Sequence, residues 1–327
     1  MEKIYKHNDG CVQSDNQWNF EMVLGDEYCV NEKSIGLRRV IAAPIKDKKY
    51  TQNILRCLEP NFPFKLPHVK RVKRELNSSP AKLHVVLFIE HIHSKQFDQV
   101  MRNSCDINLS CVDTSLSCIE EFIDDLYVAN LPTKPPLTRK QFEFTKQFWP
   151  VSFHEDKNLE SIISGVCYDK KEIFNTNNFL KKAVECGINS NNNIDCSTGA
   201  VIVDPKLNKI ICKVSSSEVK HKLLHGPMIA IDLIAKHQGG GTYRKEFNGI
   251  DGLYCSEKTE GDYYIGTNMH VYLSHEPCVM CSMALLHSRV ARVVYAQPNA
   301  QGGLGTLYKI HAVKDMNHKF LVYKLKT

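Results

Sequence analysis

Pro277-Cys278-Val279-Met280-Cys281 stands at the head of the apolar run "CVMCSMALLH". Proline suits the first position of a helix, where its missing N–H is no loss. Cysteines three apart on such a helix face the same way, and the partial positive charge at its N-terminus favours the thiolate forms. Upstream, "LLHGPMIAIDLIAKH" repeats the arrangement, with Pro227 marking a helix from about Gly226 and His225 at its mouth. One imidazole and two thiolates form a tetrahedral zinc set with one position to spare. His225, Cys278 and Cys281 are therefore the candidate metal ligands and Zn2+ the expected cofactor. The set can form only in a fold that brings both helix starts together.

A lone C-x-x-C is as often redox-active or incidental, and a lone histidine is usually a surface or core residue. The order of the surrounding elements gives the two motifs weight. From about residue 156 the pattern runs helix, strand, strand, helix, strand, helix, strand. "NTNNFLKKAVECG" is helical, while "TGAVIVDP", "KIICKVSS", "HVYLS" and "RVVYA" are strands. Such alternation predicts an α/β layered domain, with an insertion loop between His237 and His270.

The preceding half reads as a small α+β domain. Strands are predicted over 37–45 and 83–91. A helix over 48–58 carries Ile54, Leu55 and Leu58 on one face, and further helices are predicted over 94–102 and 117–128. A split βαβ topology fits this order. Prolines at 132, 135, 136 and 150 mark a junction, and Phe142, Phe144, Phe148, Trp149 and Phe153 predict that it packs down on the domain that follows. The expected organisation is a flexible tail over 1–17, an N-terminal domain over 18–130, a packed linker over 131–155 and the zinc domain over 156–327.

With 43% hydrophobic residues, the 327-residue chain can bury two cores. Thirteen cysteines in this length are dilute and odd in number, which argues against a disulfide scaffold. Apart from Cys278 and Cys281 they read as small buried or surface thiols. No apolar run reaches the ~20 residues of a membrane span, and the N-terminus has no secretory core. A soluble protein of the cytoplasm, the nucleus or both is expected, with no membrane partner. The net charge of +6 is unevenly spread: residues 33–82 hold thirteen Lys/Arg against three Asp/Glu, and 83–130 hold two against eight. One surface of the N-terminal half is thus basic, and phosphate is its natural partner.

The order H-x-E followed by P-C-x-x-C is the known signature of zinc-dependent nucleobase deaminases, matched here except at one position. In that chemistry zinc lowers the pKa of bound water and a glutamate shuttles the protons, help typically worth ~10²–10⁴-fold. This chain reads His225-Gly226-Pro227, and proline has no proton to give. Asp232 lies further along the same helix, and Glu276 belongs to the E-P-C pattern that complete deaminases also carry, so neither replaces the glutamate. The fourth zinc ligand stays open between water, another side chain and the C-terminal carboxylate of Thr327.

"LLHGPMIAIDLIAKHQGGGTYR", "VYLSHEPCVMCSMALLHSRVARVVYA", "GGLGTLYKIHAVKDMNHKF" and, at the junction, "PLTRKQFEFTKQFWPVSFHEDK" together resemble the non-catalytic subunit of the eukaryotic heterodimeric tRNA adenosine deaminase. The N-terminal half joins that resemblance mainly through "VIAAPIKD" and "HVKRVKRE". It implies a cytidine-deaminase-like α/β/α layered domain with zinc on His225, Cys278 and Cys281. It also implies a partner subunit with an intact H-x-E that converts wobble adenosine to inosine. Where the family usually has valine in place of the glutamate, this chain has Pro227. The family's N-terminal domain helps bind tRNA, which makes Lys70, Arg71, Lys73 and Arg74 the candidate tRNA-binding residues, with Arg38, Arg39, Lys46, Lys48 and Lys49 as company. Two other readings compete: an autonomous zinc-dependent nucleoside or nucleotide deaminase, and a non-enzymatic zinc RNA-binding protein.

Overall fold

The computed structural model describes residues 19–75, 82–90, 95, 117–188, 198–215, 223–241, 254–255 and 264–326. The expected tail over 1–17, the helix over 94–102 apart from residue 95, most of the insertion loop and Thr327 lie outside the described residues. Two compact units divide the chain, one comprising Asp26–Glu160 and the other the residues up to Gly25 together with those from Ser161 onward.

In chain order, β1 (Phe20–Met22) belongs to the divided unit. The elements α1 (Glu32–Ile35), β2 (Leu37–Ile45), α2 (Thr51–Asn61), β3 (Val72–Arg74), β4 (Leu83–Ile89), α3 (Ser117–Glu120), β5 (Tyr127–Pro132) and α4 (Arg139–Thr145) form the continuous one. Its sheet has the order β3-β4-β2-β5 and is antiparallel throughout. Strand, helix, two strands, helix, strand in that order is the split βαβ arrangement. The period of two along β2 sends Ile41, Ala43 and Ile45 to one face, against Ile54 and Leu58 of α2 and Ile119 of α3. Val40 and Ala42 go to the other face, against Leu131, Trp149 and Val151. Each fully buried Ile or Leu contributes ~1.5–3 kcal/mol.

Two expectations change here. Residues 117–128 are not one helix: α3 ends at Glu120, Ile123 bridges to Ile45, and Tyr127–Pro132 pairs with β2. Tyr127 and Val128 suit a strand, and β2 supplies the backbone partners that a helix would otherwise provide. The aromatic junction was expected to settle on the following domain. Trp149, Val151 and Phe142 instead belong to the core on the four-stranded sheet, and Trp149 Nε1 donates to the Lys70 carbonyl at 2.7 Å.

The unit boundary falls within α5 (Lys157–Ser164). Beyond it come α6 (Lys170–Ile188), β6 (Ala200–Asp204), β7 (Lys209–Val214), α7 (Gly226–His237), β8 (Tyr254–Cys255), β9 (His270–His275), α8 (Val279–His287), β10 (Arg292–Gln297) and β11 (Leu321–Leu325). The sheet runs β1-β11-β10-β9-β6-β7-β8, with β9, β10 and β11 parallel and the other pairings antiparallel. Alternation along β6 puts Ala200 and Ile202 in one core with Ile229 and Leu233 of α7 and Leu285 of α8. Val201 and Val203 join the opposite core with Phe179, Leu180 and Ala183 of α6. This is the α/β/α layering expected. The pairing of the edge strand β1 with β11 was not foreseen. Among the described residues, no helix is long and apolar enough to cross a membrane.

Candidate metal centre and basic surface

His225 and Cys278 are the N-cap residues of α7 and α8, both in extended conformation, and Cys281 follows in the first turn of α8. Pro277 was expected at the first helical position; it lies just outside, because Cys278 takes the cap and the helix begins at Val279. Gly226 allows the other helix start twice over. A Cβ there would lie 1.8 Å from the Thr198 carbonyl oxygen. Glycine also escapes the clash that keeps most residues before a proline out of helical geometry.

His225 Nδ1 lies 3.5 Å from each of the two sulfur atoms. The three donor atoms all fall within 4.8 Å of one another, and among the described residues no other His, Cys, Asp or Glu group gathers in this way. A tetrahedral ion with Zn–S of ~2.3 Å and Zn–N of ~2.0 Å has N···S edges of about 3.5 Å, so the donor set fits zinc. The Cys278 thiol is lowered to about 5, chiefly by its hydrogen bond with the Cys281 side chain, then by the Cys281 N–H and His225. A thiolate is the form that ligates a metal. Cys281 is buried, whereas His225 and Cys278 are half-buried.

Pro227 occupies the second position of α7 and is buried. The arrangement can thus hold a metal at two helix N-termini, but among the described residues no carboxyl group joins the donor set to move a proton.

In the sequence Glu276 is only part of the E-P-C pattern, and folding gives it a definite task. It is fully buried, with Oε1 accepting from the N–H groups of Leu304 and Thr306 at 3.0 and 2.9 Å. Oε2 accepts from Asn299 N–H at 3.3 Å and from the Thr306 hydroxyl. A Cβ at Gly302 would lie about 2.1–2.3 Å from this carboxyl group, so only glycine fits there. Gly302 also bridges to Cys278, which ties residues 299–306 to the start of α8. The only sequence cue was a glutamate directly before Pro277 with a Gly-Gly pair downstream.

The four basic residues of 70–74 fare unequally. Lys70 and Arg74 are exposed, and Lys73 is half-buried, donating to the Phe148 carbonyl at 3.3 Å with its ammonium 5.5 Å from the Trp149 ring centroid. Arg71 is buried. Its Nε donates to the Val86 carbonyl at 3.1 Å and its Nη1 pairs with Glu59 at 3.3 Å. Burial lowers its guanidinium to about 10, against the raising influence of Glu59. Arg71 is therefore a structural residue and not a surface cation. Of the company named with them, Arg38, Lys46 and Lys48 are exposed, while Arg39 pairs with Glu90 and Lys49 with Asp47.

Residues 175–297 match the family model for the cytidine and deoxycytidylate deaminase zinc-binding region. Residues 38–149 match that for the tRNA-specific adenosine deaminase TAD3 N-terminal domain. A Danio rerio protein described as "Probable inactive tRNA-specific adenosine deaminase-like protein 3" is 34% identical over 99% of this chain and 96% of its own length. The Homo sapiens protein of the same description is 31% identical over 86% of this chain and 83% of its own length. A Schizosaccharomyces pombe protein, "tRNA-specific adenosine deaminase subunit tad3", is 25% identical over 87% of this chain and 88% of its own length.

Proposed function

The chain belongs to the TAD3 family of tRNA-specific adenosine deaminase subunits, and from that premise we propose that it is a non-catalytic, tRNA-binding subunit of a heterodimeric wobble-adenosine deaminase. Adenosine is converted to inosine in the active site of a partner chain that carries the intact H-x-E. The observation that carries this reading is the buried Pro227, standing where the proton shuttle belongs beside an otherwise assembled His225, Cys278 and Cys281 set. A site selected for chemistry needs the carboxyl group, whereas a site selected for structure needs only the donors.

Zn2+ on those three residues supplies a cross-link between the starts of α7 and α8. Glu276 holds residues 299–306 beside it, so the surface next to the centre is rigid. Lys70 and Arg74, with Arg38, Lys46 and Lys48, supply cations for the phosphate backbone of tRNA. The complex works in the cytoplasm, the nucleus or both.

The test is inosine formation on a tRNA bearing a wobble adenosine, with this chain alone, the glutamate-bearing partner alone and the two together. Only the mixture should react. Turnover by this chain alone would overturn the reading and direct attention to an unrecognised proton shuttle. Full turnover by the partner alone would remove the need for this subunit.

A further inference from the structure

The cysteines outside the metal centre are not all isolated. Cys57 on α2 and Cys118 on α3, 61 residues apart in the chain, face each other with their sulfur atoms 2.9 Å apart. Cys118 is exposed and Cys57 half-buried. The elements that carry them are held in place from below: Ile54 and Leu58 of α2 and Ile119 of α3 are fully buried in one core, and Tyr50 stacks on Phe122 with ring centroids 4.4 Å apart. The sulfurs thus sit at the solvent rim of a rigid contact. An S–S bond of about 2.05 Å requires a further approach of less than about 1 Å.

We infer that Cys57 and Cys118 are a dithiol site that small disulfides such as glutathione disulfide oxidise to an intramolecular disulfide. The exposed Cys118, as thiolate, attacks one sulfur of the small disulfide, and the other sulfur leaves as a thiolate with the bonding pair. Cys57, losing its proton, then attacks the Cys118 sulfur of the mixed disulfide and expels the second small thiolate. Two protein thiols and one small disulfide become one protein disulfide and two small thiols, and the two protons end on the released thiols. The link ties α3 to α2 at the edge of the sheet core.

The experiment treats the full-length chain with glutathione disulfide, alkylates remaining thiols and maps peptides without reduction. Peptides joined through Cys57 and Cys118 are expected, cleaved again by dithiothreitol, together with a rise of a few degrees in the unfolding temperature. In Cys57→Ser the resolving thiol is gone, so the glutathione adduct on Cys118 should accumulate at least about tenfold over the unsubstituted chain. Cys118 joined to Cys105 or Cys111, or a persistent adduct on Cys118 in the unsubstituted chain, would overturn the assignment. So would both thiols remaining alkylated while other cysteines take up glutathione. The map of the unsubstituted chain decides the question even if the serine variant does not fold.

Discussion

His225, Cys278 and Cys281 come from distant parts of the chain and converge on one point, whereas Lys70, Arg71, Lys73 and Arg74 are neighbours in the chain and end in different surroundings. In the first group each donor is fixed by a helix start, a backbone feature that leaves its side chain little choice of direction. In the second the backbone is a short strand and its approach, where successive residues turn to opposite sides, so a contiguous run of charge is divided by geometry. Arg71, turned inward, finds Val86 and Glu59; Lys70 and Arg74 stay in water. A spacing rule tied to a helix terminus survives folding, and a charge count does not.

The largest effect that bears on this contrast is loss of metal. Cys281→Ser should drop bound zinc, measured by elemental analysis, from about one per chain to near none, with a stability loss of several kcal/mol. Retention of zinc would mean that another donor set holds it. Glu276→Ala should cost about 3–5 kcal/mol in chemical denaturation, because the N–H groups of Leu304 and Thr306 lose a buried acceptor. Glu276→Gln, which keeps one acceptor oxygen, should cost clearly less, and equal losses would argue that the residue only fills space.

Arg71→Ala should cost about 1–3 kcal/mol of stability and leave the salt dependence of tRNA binding unchanged. A flatter salt dependence would put Arg71 on the RNA after all. The double neutralisation Lys70→Gln with Arg74→Gln should do the reverse, shifting stability by no more than about 0.5 kcal/mol while reducing the magnitude of the log–log salt slope by about 1–2. A parallel salt titration would remove both residues from the interface.

The gathering of His225, Cys278 and Cys281, the α/β/α order and the split βαβ order were legible because each depends on local periodicity and on Pro and Gly at particular positions. The strand 37–45 was read to its limits as β2 for the same reason. What escaped depended on partners remote in the chain. Tyr127 and Val128 became strand residues because β2 was available to pair with them. Phe20–Met22 read as part of the N-terminal domain because nothing local reveals that its partner is Leu321–Leu325. Arg71 and Glu276 looked like a surface cation and a bystander, and only burial distinguishes them. Cys57 and Cys118 looked like unrelated thiols until α2 and α3 were packed together.

The pairing of β1 with β11 also sets a timetable. His311, which hydrogen-bonds the Val23 carbonyl, is synthesised 288 residues after it. During translation β1 therefore lacks its partner strand while the whole of Asp26–Glu160, whose sheet pairs with no strand outside that span, can finish folding. The unit that carries His225, Cys278 and Cys281 is closed only when β11 arrives. A chain stopped short of Leu321 would leave β10 as a bare edge and β1 without its place. Completion of that sheet thus rests on β11, the last of its described strands to be made.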